Sequence, residues 1–316
     1  MKTRILEKWL ISLTSVFIIG LPSVSLSSPS DGGVHADDGG ELNVEIEYFN
    51  TSSSKSTIGN TEAQSSGLRF ETEYEKNNIA YSFAYERWSY DWTNPENFPI
   101  DSGGSAPWDT FGSLQFGFEY EHGIGDDWEL TYYAEAESSY EKERGRSNEY
   151  ELGVGINYEL SDAWHYTLSL NVEYLDATSE MEVGGEVEIE WNHDSRDGWS
   201  GEFEISDEFP ESNVDYHFTE DFSTSFFYYE GGTNTMRLSD GSPVEGMQGG
   251  YIEDEYRSLG IGFNYEYADH SYVSFSVQQN FDRSMSFVDS TGLEATETIV
   301  YFDDSPEVSL RISYTF

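Results

Sequence analysis

Hydrophobic and polar residues alternate along most of this chain. At its end, Val308, Leu310, Ile312, Tyr314 and Phe316 occupy every second position, and Glu307, Ser309, Arg311, Ser313 and Thr315 fill the places between. A period of two puts successive side chains on opposite faces of an extended backbone, so the pattern predicts a β-strand. The same signature appears at Leu42–Tyr48, Leu68–Tyr74, Ile79–Tyr85, Leu114–Tyr120, Trp128–Ala136, Tyr150–Tyr158, Trp164–Tyr174, Met181–Trp191 and Trp199–Ile205. It is weaker at Val214–Phe218 and Phe226–Tyr228, then clear again at Leu259–Tyr265 and Val273–Val277. The count is fourteen segments, with twelve as the alternative because 207–230 is weak. Helices do not fit, since a period of 3.6 would scatter these apolar residues around a cylinder.

Connection lengths alternate too. Short ones at Lys76–Asn78, His122–Asp127, Ser161–Ala163, Asp194–Gly198 and Ala268–His270 are interleaved with longer ones near 50–66, 89–110, 138–148, 230–256 and 282–306. One end of the assembly is therefore trimmed and the other elaborated. Between Glu180 and Glu190 the polar face is almost all carboxylate, which has to stay in water, whereas the apolar face of many strands is aromatic at both ends. A hydrocarbon band bordered by Trp and Tyr suits a bilayer, and a soluble sandwich would use about half as many strands in one domain. Sheet edges cannot stay unpaired in lipid, so the strands must close, the last one pairing with the first near Leu42–Tyr48.

Composition narrows the function classes. With 61 Asp and Glu against 15 Lys and Arg, the formal charge of −46 argues against nucleic acid, whose phosphates need clustered cations. An aromatic content of 16% is too high for a disordered acidic tail. Lys2, Arg4 and Lys8 precede 13 residues, Trp9–Leu21, that are mostly apolar, and the small residues Ser23, Ser25 and Ser27 follow. That is the plan of a secretory signal peptide over 1–27, too short for a spanning helix, with a polar segment over 28–40 and the barrel over 41–316. There is no cysteine, hence no disulfide and no thiolate chemistry.

Signal peptide, alternating strands and a terminal Phe together resemble the bacterial outer-membrane β-barrels. The resemblance implies an all-β, closed antiparallel transmembrane barrel in the Gram-negative outer membrane, with long extracellular loops and short periplasmic turns. It also implies that the insertion machinery reads Val308, Leu310, Ile312, Tyr314 and Phe316 as an assembly signal. About 290 mature residues over fourteen strands are similar in architecture to the monomeric outer membrane protein G type porins, which favours a monomer and leaves the oligomeric state open.

The face turned away from lipid carries the candidate chemistry. It holds Glu45, Glu47, Glu71, Glu73, Glu119, Glu135, Glu151, Glu182, Glu186, Glu188, Glu202 and Glu204, with Arg69, His165 and Arg311 as the chief bases. Desolvating so many unpaired carboxylates costs several kcal/mol each, so the expectation is a wet, cation-preferring pore for small hydrophilic solutes, with no cofactor and no metal. Adaptation to salty media is another source of the acidic excess and is compatible with a pore. Two other function classes stay open: a barrel hydrolase of phospholipase or protease type, and a surface barrel that binds a partner through its loops. For the hydrolase, His193-Asp194-Ser195-Arg196-Asp197-Gly198 partly matches a phospholipase strand and also reads as turn chemistry, while Asp126-Asp127, Asp303-Asp304, Asp221 and His217 suggest a rim protease. Glu253-Asp254-Glu255 offers oxygen ligands for Ca²⁺ without the spacing of a dedicated site.

Overall fold

The computed structural model describes residues 40–125, 127–161, 163–192, 197–206, 210–268, 270–291 and 299–316. The leader and most of the polar segment after it lie outside these residues. Alternation becomes strand wherever it was read: β1 (Glu41–Lys55), β2 (Glu62–Lys76), β3 (Ile79–Thr93), β4 (Thr110–Gly123), β5 (Trp128–Tyr140), β6 (Asn148–Ser161) and β7 (Trp164–Leu175). These are followed by β8 (Glu180–Trp191), β9 (Gly198–Ser206), β10 (Pro210–Thr219), β11 (Phe222–Arg237), β12 (Tyr251–Ala268), β13 (Ser271–Val288), β14 (Val300–Tyr301) and β15 (Ser305–Thr315). No helix among the described residues is long and apolar enough to cross a membrane.

Each strand from β1 to β13 pairs antiparallel with the next, and β15 pairs with both β13 and β1, so fourteen strands close into a barrel and the two-residue β14 adds only to β13. The weak segments are thus strands of the wall, and the count is fourteen, not twelve. At the seam β15 lies on β1 from Asn43 opposite Thr315 to Thr51 opposite Glu307. Arg311 there reaches Glu45 at 3.2 Å and Glu47 at 3.1 Å, whereas Arg69 meets Glu71 on its own strand at 2.9 Å. Half-exposed pairs of this kind are worth about 0–1 kcal/mol. Arg311→Glu should still lower the thermal unfolding temperature more than Arg69→Glu, because of the two it is Arg311 that bridges the first and last strands; equal shifts would remove the seam from the account.

Several strands run beyond the sequence-predicted bounds. The residues of β1 up to Lys55, of β2 from Glu62 and of β3 up to Thr93 are ladder where the pattern suggested loops. Alternation persists there with its polarity exchanged. In β3 the inner positions pass from Ala80, Ser82, Ala84 and Glu86 to Trp88, Tyr90 and Trp92, and the outer ones from Tyr81, Phe83 and Tyr85 to Arg87, Ser89 and Asp91. The apolar side faces out where lipid would cover it and in where the wall encloses a core. A bulge assists this in β13: Arg257 opposes Phe281 but Glu255 opposes Ser284, so Asp282, at φ 54°, is the extra residue. The inserted residue shifts the side-chain parity, turning Arg283, Met285 and Phe287 inward.

That core caps the end of the barrel opposite Glu41 and Phe316. It gathers Tyr90, Phe98, Trp108 and Phe111 from β3, β4 and their connection, Met236, Leu238, Val244, Met247 and Ile252 around the β11–β12 connection, and Met285, Phe287, Val300 and Phe302. The top of β11 crosses the mouth and pairs in parallel with β5, Arg237 opposite Tyr140, and the Glu141 amide donates to the Arg237 carbonyl at 2.8 Å. Strands β11, β12, β13, β15 and β1–β5 therefore form a second, nine-stranded ring around the core, leaving β6–β10 outside it. The β1–β2 turn is pressed against the β3–β4 connection: Gly59 has φ +85°, and a Cβ there would collide with the Asn97 carbonyl oxygen.

Candidate functional site

Below the cap the inner wall borders open cavities, three of them large. The one at the turn end, about 740 Å³, is bordered by Glu73, Asp215, His217, Asp221 and Arg311 among others. A second of about 530 Å³ has Glu73, Glu119, Glu135, Glu151, Glu186 and Glu188 on its walls. The third, about 650 Å³ and directly beneath the cap, is bordered by Glu47, Glu86, Glu202, Glu211, Glu307 and Arg311. The remaining carboxylates named from the sequence sit on the same face. Glu45 accepts a hydrogen bond from the Tyr272 hydroxyl at 2.8 Å, Glu71 faces Arg69, Glu182 lies opposite Glu173, and Glu204 lies opposite Glu188 on one side and Glu211 on the other.

Polar side chains hold some of these acids in place: the Gln115 amide donates to Glu135 at 2.7 Å and the Asn171 amide to Glu151 at 2.7 Å. Carboxylate oxygens of Glu188, Glu190 and Glu202 lie within 4.8 Å of one another. Three aromatic residues also point inward, each facing a glycine on the neighbouring strand: Phe49 over Gly67, Tyr133 over Gly153 and Phe227 over Gly260. In every case a Cβ on the glycine would strike the ring, so these rings lie against the wall. Period-two reading placed the acids but missed these rings; an aromatic residue standing among polar ones on the inner parity was their signal.

A buried ion pair lies within the cap. Arg283 donates to both Asp254 oxygens, at 3.0 and 2.6 Å, with both side chains buried, and its guanidinium lies 5.6 Å from the Phe302 ring centroid. Asp254 thus serves the packing. Glu253 accepts from the Ser286 hydroxyl at 2.6 Å, on the other face of the strand from Asp254.

Among the described residues the hydrolase candidates divide between the two ends of the barrel. Asp221 and His217 border the cavity at the turn end, while Asp303 donates its amide to the Lys55 carbonyl at the capped end. Residues 193–196 and Asp126 lie outside the described residues. The Ser200 hydroxyl does meet Nε2 of His217 at 3.2 Å, but among the described residues no carboxylate holds the other ring nitrogen, as an activated serine requires.

The outer wall decides what kind of barrel this is. Leu152 is 64%, Leu170 59% and Leu259 59% exposed, and similar apolar side chains cover the outer positions of most strands. Near the turn end this belt is bordered by cross-strand aromatic pairs: Trp128 with Tyr158 at 4.4 Å, Trp164 with Trp191 at 6.5 Å and Trp199 with Tyr216 at 4.8 Å between ring centroids. A soluble protein would not leave such a belt to water, whereas lipid would cover it and hold indole and phenol rings at its boundary. The fold is that of a transmembrane β-barrel.

No protein-family model and no curated protein sequence matches this barrel. Among solved structures it is similar to the Pseudomonas putida toluene transporter TodX, with 10% identity, a TM-score of 0.49 and coverage of 89% of this chain and 90% of that one. A Pseudomonas aeruginosa FadL homologue gives 9% identity and a TM-score of 0.49 over 88% and 90% of the two chains. An outer-membrane channel from Pseudomonas putida F1 gives 11% identity and a TM-score of 0.41 over 94% and 100%. What the chain shares with them is the barrel.

Proposed function

We propose that this protein is an outer-membrane channel for passive diffusion of small hydrophilic solutes, with cations preferred and no chemical step. The observation that carries the reading is a closed wall with an apolar, aromatic-bordered outside and carboxylate-bordered cavities inside. Carboxylates at this density cannot be packed dry, so water and mobile cations fill the space, and a field of one sign favours cations over anions. The orientation that fits places both termini and the short turns in the periplasm and the cap outside, because an even number of strands returns the chain to its starting side. In this reading the partners are outer-membrane lipid and the insertion machinery that reads Val308, Leu310, Ile312, Tyr314 and Phe316; the leader directs export, and the barrel works as a monomer.

Selectivity is the test. Successive inward residues on one strand are roughly 6.8 Å apart, inside a Debye length of about 8 Å at physiological salt, so neighbouring carboxylate fields overlap. Opposite β8, Glu202 faces Glu190 and Glu204 faces Glu188, which concentrates charge at one height. Changing Glu182, Glu186 and Glu188 together to Gln keeps size and polarity while removing charge. In planar bilayers the variant should keep near-wild-type conductance in concentrated salt and lose most of its cation preference in dilute salt. An unchanged reversal potential would locate selectivity elsewhere, and a wild-type protein without conductance steps would end the channel reading.

A further inference from the structure

The arginines of this chain divide into two groups. Arg69, Arg146, Arg237, Arg257, Arg283 and Arg311 each hold a carboxylate oxygen within 3.3 Å. Among the described residues Arg87 and Arg144 are the two arginines without an ion pair, in a chain where 61 Asp and Glu stand against 15 Lys and Arg. Both are exposed. With carboxylates so abundant, two unpaired guanidiniums are worth locating, and they border the same spot.

Strands β3, β4 and β5 bring them together. Arg87 lies opposite Gly112 and Gly112 opposite Tyr140, on the same outward parity as Tyr85 and Leu114. From the β5–β6 connection Arg144 holds its guanidinium 5.8 Å from the Tyr140 ring centroid. Arg87 and Tyr140 are two strand spacings apart, roughly 9.6 Å at 4.8 Å each, and the glycine between them puts no side chain in the gap. Packing does not demand that glycine, because a Cβ there would meet just the Glu86 carbonyl oxygen, at 3.6 Å, an ordinary contact. The outer wall thus carries a shallow seat with an arginine on each side and a phenol ring against one of them.

Its height on the barrel is informative. The row next to it, Tyr85, Leu114 and Ser138, ends the apolar belt on β3 and β4, and the row beyond it begins with Ser89 and Thr110. At the turn end of β4, Ile124 donates its amide to the carbonyl of Trp128 in the aromatic border. Twelve residues separate Ile124 from Gly112, roughly 40 Å of strand at 3.3 Å per residue, or about 30 Å of height at a tilt of about 40°. That is the thickness of a hydrocarbon core, so the seat stands where charged headgroups begin. Guanidinium matches phosphate through paired N–H donors, and tyrosine is favoured at this depth.

We infer that this seat binds a phosphate group of a phosphorylated glycolipid in the leaflet at the capped end, Arg87 and Arg144 donating to its oxygens and Tyr140 holding Arg144 in place. The inference rests on the outward orientation of the cap and not on conduction.

Native mass spectrometry of the detergent-solubilised barrel, titrated with diphosphoryl lipid A, tests it. The wild type should retain one lipid, and Arg87→Gln/Arg144→Gln should weaken binding about tenfold. Gly112→Leu fills the seat and leaves both charges, and should weaken it severalfold; Lys76→Gln, at the turn end of β2, should bind like the wild type. Unchanged binding in the double variant or in Gly112→Leu would overturn the seat, as would wild-type affinity for the dephosphorylated glycolipid. Equal affinity for phosphatidylglycerol would overturn the choice of glycolipid, and displacement by inorganic phosphate would assign the seat to a free anion instead. Conductance of the wild type in phosphatidylcholine bilayers reads the channel separately: a silent protein would end that reading and leave the lipid seat standing.

Discussion

Arg283→Met should destabilise the cap by about 3–5 kcal/mol, the cost of leaving a buried carboxylate without its partner. Asp254 is enclosed by the nine-stranded ring, and the Arg283 fork satisfies both of its oxygens. With the guanidinium gone, the carboxylate must protonate, draw in water or pull the core apart. The expected readout is faster hydrogen exchange in the amides of 238–250 and earlier proteolysis there, with the lower barrel largely unaffected, because local openings follow the cooperative units of the structure. Asp254→Leu combined with Arg283→Met should recover most of the loss, since a buried pair replaced by apolar residues of similar size is often neutral or stabilising. If the double variant were as unstable as the single one, the pair would be acting through geometry and not through charge burial.

Trp108→Ala should cost a comparable amount, about 3–5 kcal/mol, for a different reason. Its ring is 1% exposed and sits among Trp92 at 4.9 Å, Phe98 at 5.7 Å, Tyr90 at 5.9 Å, Phe111 at 6.1 Å and Phe287 at 6.3 Å. Removing the indole leaves a cavity that these rigid neighbours cannot fill, and the β3–β4 connection loses its anchor. If the cap closes the axial mouth, loosening it should ease passage there, so single-channel conductance should rise and protease cleavage within 94–109 should accelerate. A conductance that falls or stays at the wild-type value while exchange in the cap increases would show that the mouth is not sealed by this core.

Much of the barrel was legible in the sequence because membrane strands obey a strict rule. Outer positions meet lipid and inner positions meet water, so each side chain reports its face without knowledge of its neighbours. That is why the closing pair of β15 with β1, and even the reach of Arg311 to Glu45 and Glu47, could be anticipated from parity and height alone. The weak segments that became β10 and β11 were harder to assign, since only Val214, Tyr216 and Phe218 mark the outer face of one and Phe226 and Tyr228 that of the other.

The cap escaped that reading because there the rule reverses. Trp88, Tyr90 and Trp92 alternate as faithfully as Tyr81, Phe83 and Tyr85, but period alone does not say which side is covered. Nor could local pattern reveal that β11 leaves β10 after Tyr228 and reaches β5 through Arg237, or that Arg283 meets Asp254 across two strands. The first joins segments far apart in the chain and is chosen by the enclosed volume; the second lies between neighbouring strands and is chosen by the need to satisfy buried charge. The sequence by itself thus determined the strands, their inner and outer faces and the seam, through the two solvents they must separate; only the tertiary structure decided that one end is packed around a core, because that depends on which distant strands enclose it.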